Sequence, residues 1–216
     1  MLIDLHTHTA PRSYDALQTP GELVLEAKAL GLDAICLTEH DAFWPTSDLQ
    51  ALSRGHNLLL LPGCEINTDE GHFLAFGLTE YVFGMHKLPV LRAHVDRCGG
   101  ALVAAHPYRR RYRTPGGDFS VPLEQMLHRA AADDAFQRCE ALETYNGRGA
   151  DDENRFSRAL AQRLGLPCTA GSDSHQPGDL GACTTQFDQP IHDLDGLIRE
   201  LKAGRFRPQL IDPSPI

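Results

Sequence analysis

Short apolar runs and amphipathic segments of helix length alternate along this chain, and no other feature restricts its fold as strongly. The run LID leads into His6 and His8. TPGELVLEAKALGL then reads as a helix, with Thr19 as N-cap, Pro20 in its first position and Glu22 three residues after the cap. DAICLTEH, NLLLLPGCEIN, HFLAFG, ALVAAHP, ALETYN and PCTAGSDSH read as strands. PTSDLQALSRGH, LPVLRAHVDRCGG, VPLEQMLHRAA, DENRFSRALAQRLG and LDGLIRELKAG read as helices. Such alternation predicts parallel strands, either closed into a barrel or laid out as a doubly wound sheet.

The placement of polar residues separates these two folds. His6, His8, His40, Glu65, His106, Asn146, Asp173 and His175 each fall at or just past the C-terminal end of a predicted strand. In a parallel barrel all those ends open on one face, so residues from many strands reach one pocket. A doubly wound sheet gathers ligands only where strand order reverses and would leave some of these residues far apart. The pattern therefore predicts an α/β barrel. With 216 residues, 42% of them hydrophobic, and no repeat or Pro/Gly/Ser-rich linker, a single domain over 1–216 is expected.

Composition narrows the function. The formal net charge of -9 opposes a non-specific grip on polyanions. The six cysteines are scattered without a C-x-x-C pair, as expected of free thiols in a reducing compartment. No apolar stretch is long enough to cross a bilayer, and the first residues do not read as a cleaved signal, so a cytoplasmic protein without a membrane partner is expected. In a β-strand, Asp4, His6 and His8 share a face. A lone His-x-His is most often just a polar strand end. Here, however, His6, His8, His40, His72, His106 and His175 lie on strands or strand ends together with Asp15, Glu65 and Asp173. That is the imidazole and carboxylate set that divalent ions such as manganese, iron or zinc accept.

The motifs DLHTHT, TEHD at 38–41, GCEIN with His72 seven residues after Glu65, AHP at 105–107 and GSDSH at 171–175 resemble, in order, the motif series of the PHP (polymerase and histidinol phosphatase) family. The resemblance implies a distorted TIM-like (β/α)7 barrel holding two or three divalent ions. It also implies the grouping of ligands: His6, His8, Glu65 and Asp173 around one ion; Glu65, His72 and His106 around a second, with Glu65 bridging; Asp15, His40 and His175 around a third. Two departures stand out. The family usually has TDH where this chain has Thr38, Glu39 and His40, which changes the reach of an acid expected to act on His40. Its first motif also usually reaches the aspartate sooner than HTAPRSYDAL does, which leaves Asp15 as the matching ligand.

Clustered divalent ions can make a nucleophile from water at neutral pH and clamp a transferring phosphoryl group. Asp173 is placed to take the proton of that water. HPYRRRYRTPGG, after His106, brings Arg109, Arg110, Arg111 and Arg113 to the same face, where guanidinium forks suit phosphate oxygens. Arg109 is the first expected substrate contact, with Arg110 and Arg148 beside it. Tyr108 and Tyr112 are candidate stacking surfaces, and Glu143 and Asn146 are expected to support the ligands. The reading is a metal-dependent phosphoesterase acting on a small phosphorylated substrate or a nucleotide or oligonucleotide end. An amide or cyclic-ester hydrolase on the same barrel and a non-catalytic module are the alternatives.

Overall fold

A computed structural model describes residues 1–109 and 122–211. In chain order the elements are β1 (Leu2–Thr7), α1 (Pro20–Ala29), β2 (Ala34–Leu37), α2 (Thr46–His56), β3 (Leu59–Pro62), β4 (Cys64–Thr68), β5 (Gly71–Phe76), α3 (Leu88–Arg97), β6 (Ala101–Ala104), α4 (Leu123–Ala131), α5 (Asp134–Gln137), β7 (Ala141–Asn146), α6 (Asp151–Leu164), β8 (Cys168–Gly171), β9 (Cys183–Phe187), α7 (Leu194–Ala203) and β10 (Phe206–Leu210).

The ladders form two five-stranded sheets, ordered β10-β9-β1-β2-β3 and β4-β5-β6-β7-β8. Purely parallel pairing was expected, and this needs correction: β5 runs antiparallel to both β4 and β6, and β9 runs antiparallel to β1 and β10. The single strand expected over NLLLLPGCEIN is also divided, at Gly63. A Cβ there would lie 2.8 Å from both Phe76 Cε1 and Thr38 Cγ2, so only glycine lets the chain turn from one sheet into the other at this point. The sheets meet through isolated parallel bridges, His40 with Glu65 and Thr7 with Ser174, rather than along a continuous ladder.

Three apolar clusters hold this arrangement. Ile3, Leu5, Ala34, Cys36, Leu61, Leu74, Val103, Ala141, Phe187 and Leu197 pack together as a core shared by both sheets. Leu23, Val24, Ile35, Leu37 and Leu49 bury α1 and α2 against the first sheet. Phe73, Leu91, Leu102, Leu127, Leu142 and Phe156 bury α3, α4 and α6 against the second. The capping of α1 is as its sequence requires: Glu22 N–H donates to the Thr19 hydroxyl at 3.3 Å, and Thr19 N–H donates to the Glu22 carboxylate at 2.8 Å. Thr19→Ala should therefore cost about 1 kcal/mol of stability, read as a lower urea midpoint at unchanged m value.

Two bulges turn polar side chains inward. The register of β1 against β2 shifts between Asp4 and Thr7, where three steps on β1 match two on β2. An unbroken strand would point Ile3 and Leu5 opposite to His6 and His8. The extra residue lets the apolar pair stay in the shared core while both histidines also face inward. Strand β7 uses the same device between Glu143 and Tyr145. As a result Asn146, three residues from Glu143, still reaches it: Asn146 Nδ2 donates to Glu143 Oε2 at 2.9 Å.

Candidate metal centre

Glu65 sits where the chain passes from the first sheet to the second, and its side chain is buried. Its Oε2 lies 3.2 Å from His6 Nε2, 3.2 Å from His8 Nε2 and 3.1 Å from His40 Nδ1. Its Oε1 lies 2.7 Å from His72 Nδ1 and 3.0 Å from His106 Nε2. Asp173 Oδ1 lies 3.5 Å and 3.4 Å from the same His6 and His8 nitrogens. At the rim, Asp15 Oδ2 lies 3.5 Å from His40 Nε2 and 3.4 Å from His175 Nε2. The fold thus gathers every residue of the expected ligand set. His72 belongs to this end because β5 runs antiparallel, so its first residues lie beside the last residues of its neighbours.

These atoms fit divalent cations. His6 Nε2, His8 Nε2, His40 Nδ1, His106 Nδ1, His175 Nε2 and Glu65 Oε2 are buried without a hydrogen bond among the described residues. Several lie within 3.5 Å of a carboxylate oxygen, yet out of line for hydrogen bonding, as when lone pairs converge on a common point. Four triads offer one ligand atom each within 4.8 Å of one another: His8, His40 and His175; His6, His106 and Asp173; His6, His8 and Glu65; His40, Glu65 and His72. Uncompensated charge in so dry a site is costly. Burial pushes the Glu65 and Asp173 carboxyls up, but the neighbouring imidazoles pull both well below the usual carboxylate range. Burial lowers His6, and Glu143, Asp173 and Glu65 raise it further, leaving it well above an ordinary imidazole. The cluster is built for positive charge.

The second nitrogen of several rings is held. His6 Nδ1 lies 2.9 Å from Glu143 Oε1, and His175 Nδ1 donates to the Asp173 carbonyl at 2.7 Å. Since a carboxylate or carbonyl oxygen accepts only, both rings carry their proton on Nδ1 and turn Nε2 to the cluster. His106 and Asp173 adopt φ of 26° and 56°. Positive φ in residues with side chains is costly backbone, and it is concentrated here at the cluster.

Arg109 is half-buried at the rim. Its guanidinium donates to Asp173 Oδ2 at 2.7 Å and to Asn146 Oδ1 at 2.8 Å. Arg148 is exposed, and its backbone N–H donates to Asn146 Oδ1 at 3.0 Å. Arg110, Arg111, Tyr112 and Arg113 lie outside the described residues. Tyr108 is not a stacking surface: it is buried edge-on to Phe156 at 5.0 Å between ring centroids. Among the described residues an exposed aromatic beside the cluster is Tyr14, 5.8 Å from the His40 ring, which its lack of any recognisable motif kept hidden in the sequence. Glu39 also differs from expectation, since its carboxylate reaches Ser13 and, through it, the His8 ring.

The family profile of the PHP domain matches residues 4–113, just over half of the chain. The chain belongs to the PHP family. A second profile, described as PHP-associated, matches residues 151–206. A protein named probable phosphatase from Thermoanaerobacter sp. (strain X514) is 26% identical over 84% of this PHP chain and 82% of its own length. An error-prone DNA polymerase from Nocardia farcinica is 38% identical over 64 residues, which cover 30% of this chain but 6% of the polymerase. Among solved structures, a two-domain protein from Bacteroides vulgatus described as containing a predicted PHP-like metal-dependent phosphoesterase superposes with a TM-score of 0.67 at 22% identity, over 97% of this chain and 64% of that one. At that identity the likeness speaks for the PHP fold. No helix among the described residues is long and apolar enough to cross a membrane.

Proposed function

We propose that this chain is a metal-dependent phosphoesterase that hydrolyses a phosphomonoester or a short phosphodiester. The observation that carries the reading is Glu65, whose two oxygens face two separate imidazole groups while Arg109 stands at the rim beside Asp173. His6, His8, Glu65 and Asp173 would hold one ion, Glu65, His72 and His106 a second, and Asp15, His40 and His175 a third. Divalent ions there supply a nucleophile from water at neutral pH and charge to offset that of the reacting phosphate.

The chain's own groups do the rest. Arg109 offers two N–H donors to phosphate oxygens while still tethered to Asn146. Asp173, held in place by that guanidinium, is the carboxylate we assign to take the proton of the attacking water. Glu143 keeps His6 in its ligating tautomer. Tyr14 and Arg148 border the space for the rest of the substrate, with Arg110 as a further phosphate contact. The two bridged sheets together are read as one distorted barrel and a single domain over 1–216. Six free thiols favour work in the cytoplasm. The named probable phosphatase, alike over most of both chains, supports a small phosphorylated substrate, and a nucleotide or oligonucleotide end stays within the same proposal.

The test is to strip the protein with a chelator, restore manganese, iron or zinc singly, and assay a panel of phosphomonoesters, short phosphodiesters, amides and cyclic esters. Metal-dependent phosphate release is expected. Cleavage confined to amides or cyclic esters, or no cleavage with any metal, refutes the proposal. Arg109→Ala should lower kcat/KM for the preferred phosphoester by about 10- to 100-fold, the worth of a charge-assisted hydrogen bond. Arg109→Lys should recover little of it, because a point charge cannot serve both oxygens.

A further inference from the structure

Glu39 is a fully buried carboxylate outside the ligand set. Its oxygens accept from four donors. Thr9 N–H reaches Oε2 at 2.9 Å and the Ser13 hydroxyl reaches it at 2.5 Å. The Trp44 indole N–H reaches Oε1 at 3.0 Å, and the Thr9 hydroxyl donates to the same oxygen. None of these donors is a cation. A carboxylate so saturated is an acceptor only, which fixes the direction of the Ser13 hydroxyl: its single proton points at Glu39.

The remaining bonds of Ser13 follow by elimination. Its oxygen lies 3.1 Å from His8 Nδ1, and His40 N–H donates to it at 3.3 Å. With the Ser13 proton spent on Glu39, the bond to His8 requires the proton to be on Nδ1. The Nε2 lone pair is then left for the cluster, 3.2 Å from Glu65 Oε2 and 3.4 Å from Asp173 Oδ1. The other tautomer would put a proton on the ligating nitrogen.

We propose that Glu39 and Ser13 are positioning residues, a carboxylate-hydroxyl relay that holds His8 in its metal-ligating tautomer and ties it to the His40 backbone. The relay rests on the metal reading above only for its purpose. The second nitrogen of His6 is held by Glu143 directly, so His8 is the ring in the cluster that depends on a serine.

The experiment uses the full chain, stripped of metal, in wild-type, Ser13→Ala, Ser13→Thr and Glu39→Gln forms. Two quantities are read: zinc affinity by competition with a chromophoric chelator, and the His8 tautomer by long-range proton-nitrogen spectra of the imidazoles. Ser13→Ala should weaken the tightest zinc site by about 10- to 100-fold and leave His8 a mixture of tautomers. Ser13→Thr keeps the hydroxyl and should keep both properties, a rescue that a merely structural role would not predict. Glu39→Gln, if it folds, should resemble Ser13→Ala. A Ser13→Ala protein with affinity within twofold of wild type and a single Nδ1–H tautomer overturns the relay, as does a wild-type His8 protonated on Nε2. Wild-type protein that binds no divalent ion overturns the metal centre instead, and the tautomer still decides the relay.

Discussion

Glu65→Gln should reduce metal-dependent turnover by about 10³-fold, equivalent to roughly 4 kcal/mol of transition-state stabilisation. The effect is this large because one side chain serves both halves of the cluster: His6, His8 and His40 gather at Oε2, and His72 and His106 at Oε1. An amide of the same shape carries no charge and offers one acceptor, so whichever way it turns, one group of imidazoles faces an NH2. The loss should also appear without any substrate. Wild-type protein at a zinc concentration about 100-fold above its dissociation constant should gain about 2.7 kcal/mol over the stripped form. Glu65→Gln should lose most of this zinc-dependent rise in melting temperature, keeping only what Asp15, His40 and His175 supply without it. If the variant retained both turnover and the zinc-dependent rise in melting temperature, Glu65 would not bridge ions.

The residues of the cluster were legible because their types and their places at strand ends are properties of the sequence itself. The helices were legible for the same reason, as Thr19, Pro20 and Glu22 show. Strand direction was not. An apolar run looks alike whichever way it runs, and β5 is short enough to be joined to β4 by the tight turn at 69–70. Strands β9 and β10 escaped notice because CTTQF and FRPQL lack an apolar run, and their pairing depends on the edge left open by β1. The bulges were illegible too. Period-two counting placed Asp4 with His6 and His8, whereas Asp4 instead accepts from the backbone N–H groups of His6 and Ser172, and burial pushes its carboxyl up to about 7. Ser13 and Glu39 were visible as residues, but a bond between side chains 26 positions apart is set by packing.

Gly171→Ala should cost both stability and metal affinity, although position 171 carries no functional group. Gly171 ends β8 directly against β1. A Cβ there would lie 2.6 Å from His6 Cβ, 2.8 Å from Glu143 Oε1 and 3.2 Å from His6 N. Two of these neighbours are fixed. His6 Cβ moves only with the β1 backbone, and that backbone is tied to the segment after β8, where Asp173 N–H donates to His6 O at 2.8 Å and His8 N–H to Ser174 O at 2.9 Å. Glu143 Oε1 is the atom that holds His6 Nδ1 at 2.9 Å, so the methyl group would wedge apart the imidazole and the group that orients it. Overpacking against such neighbours should cost about 2–3 kcal/mol, read as a lower urea midpoint. A displacement of His6 by about 1 Å should weaken turnover by ~10²-fold even where the variant is fully folded. Because Gly171→Ala changes the identity of none of the proposed ligands, its effect separates the geometry of the cluster from its composition. A variant within 0.5 kcal/mol of wild-type stability (the ordinary spread for surface substitutions) and with unchanged turnover would mean that the β1–β8 seam can open, and that the close approach of His6 to β8 is not required.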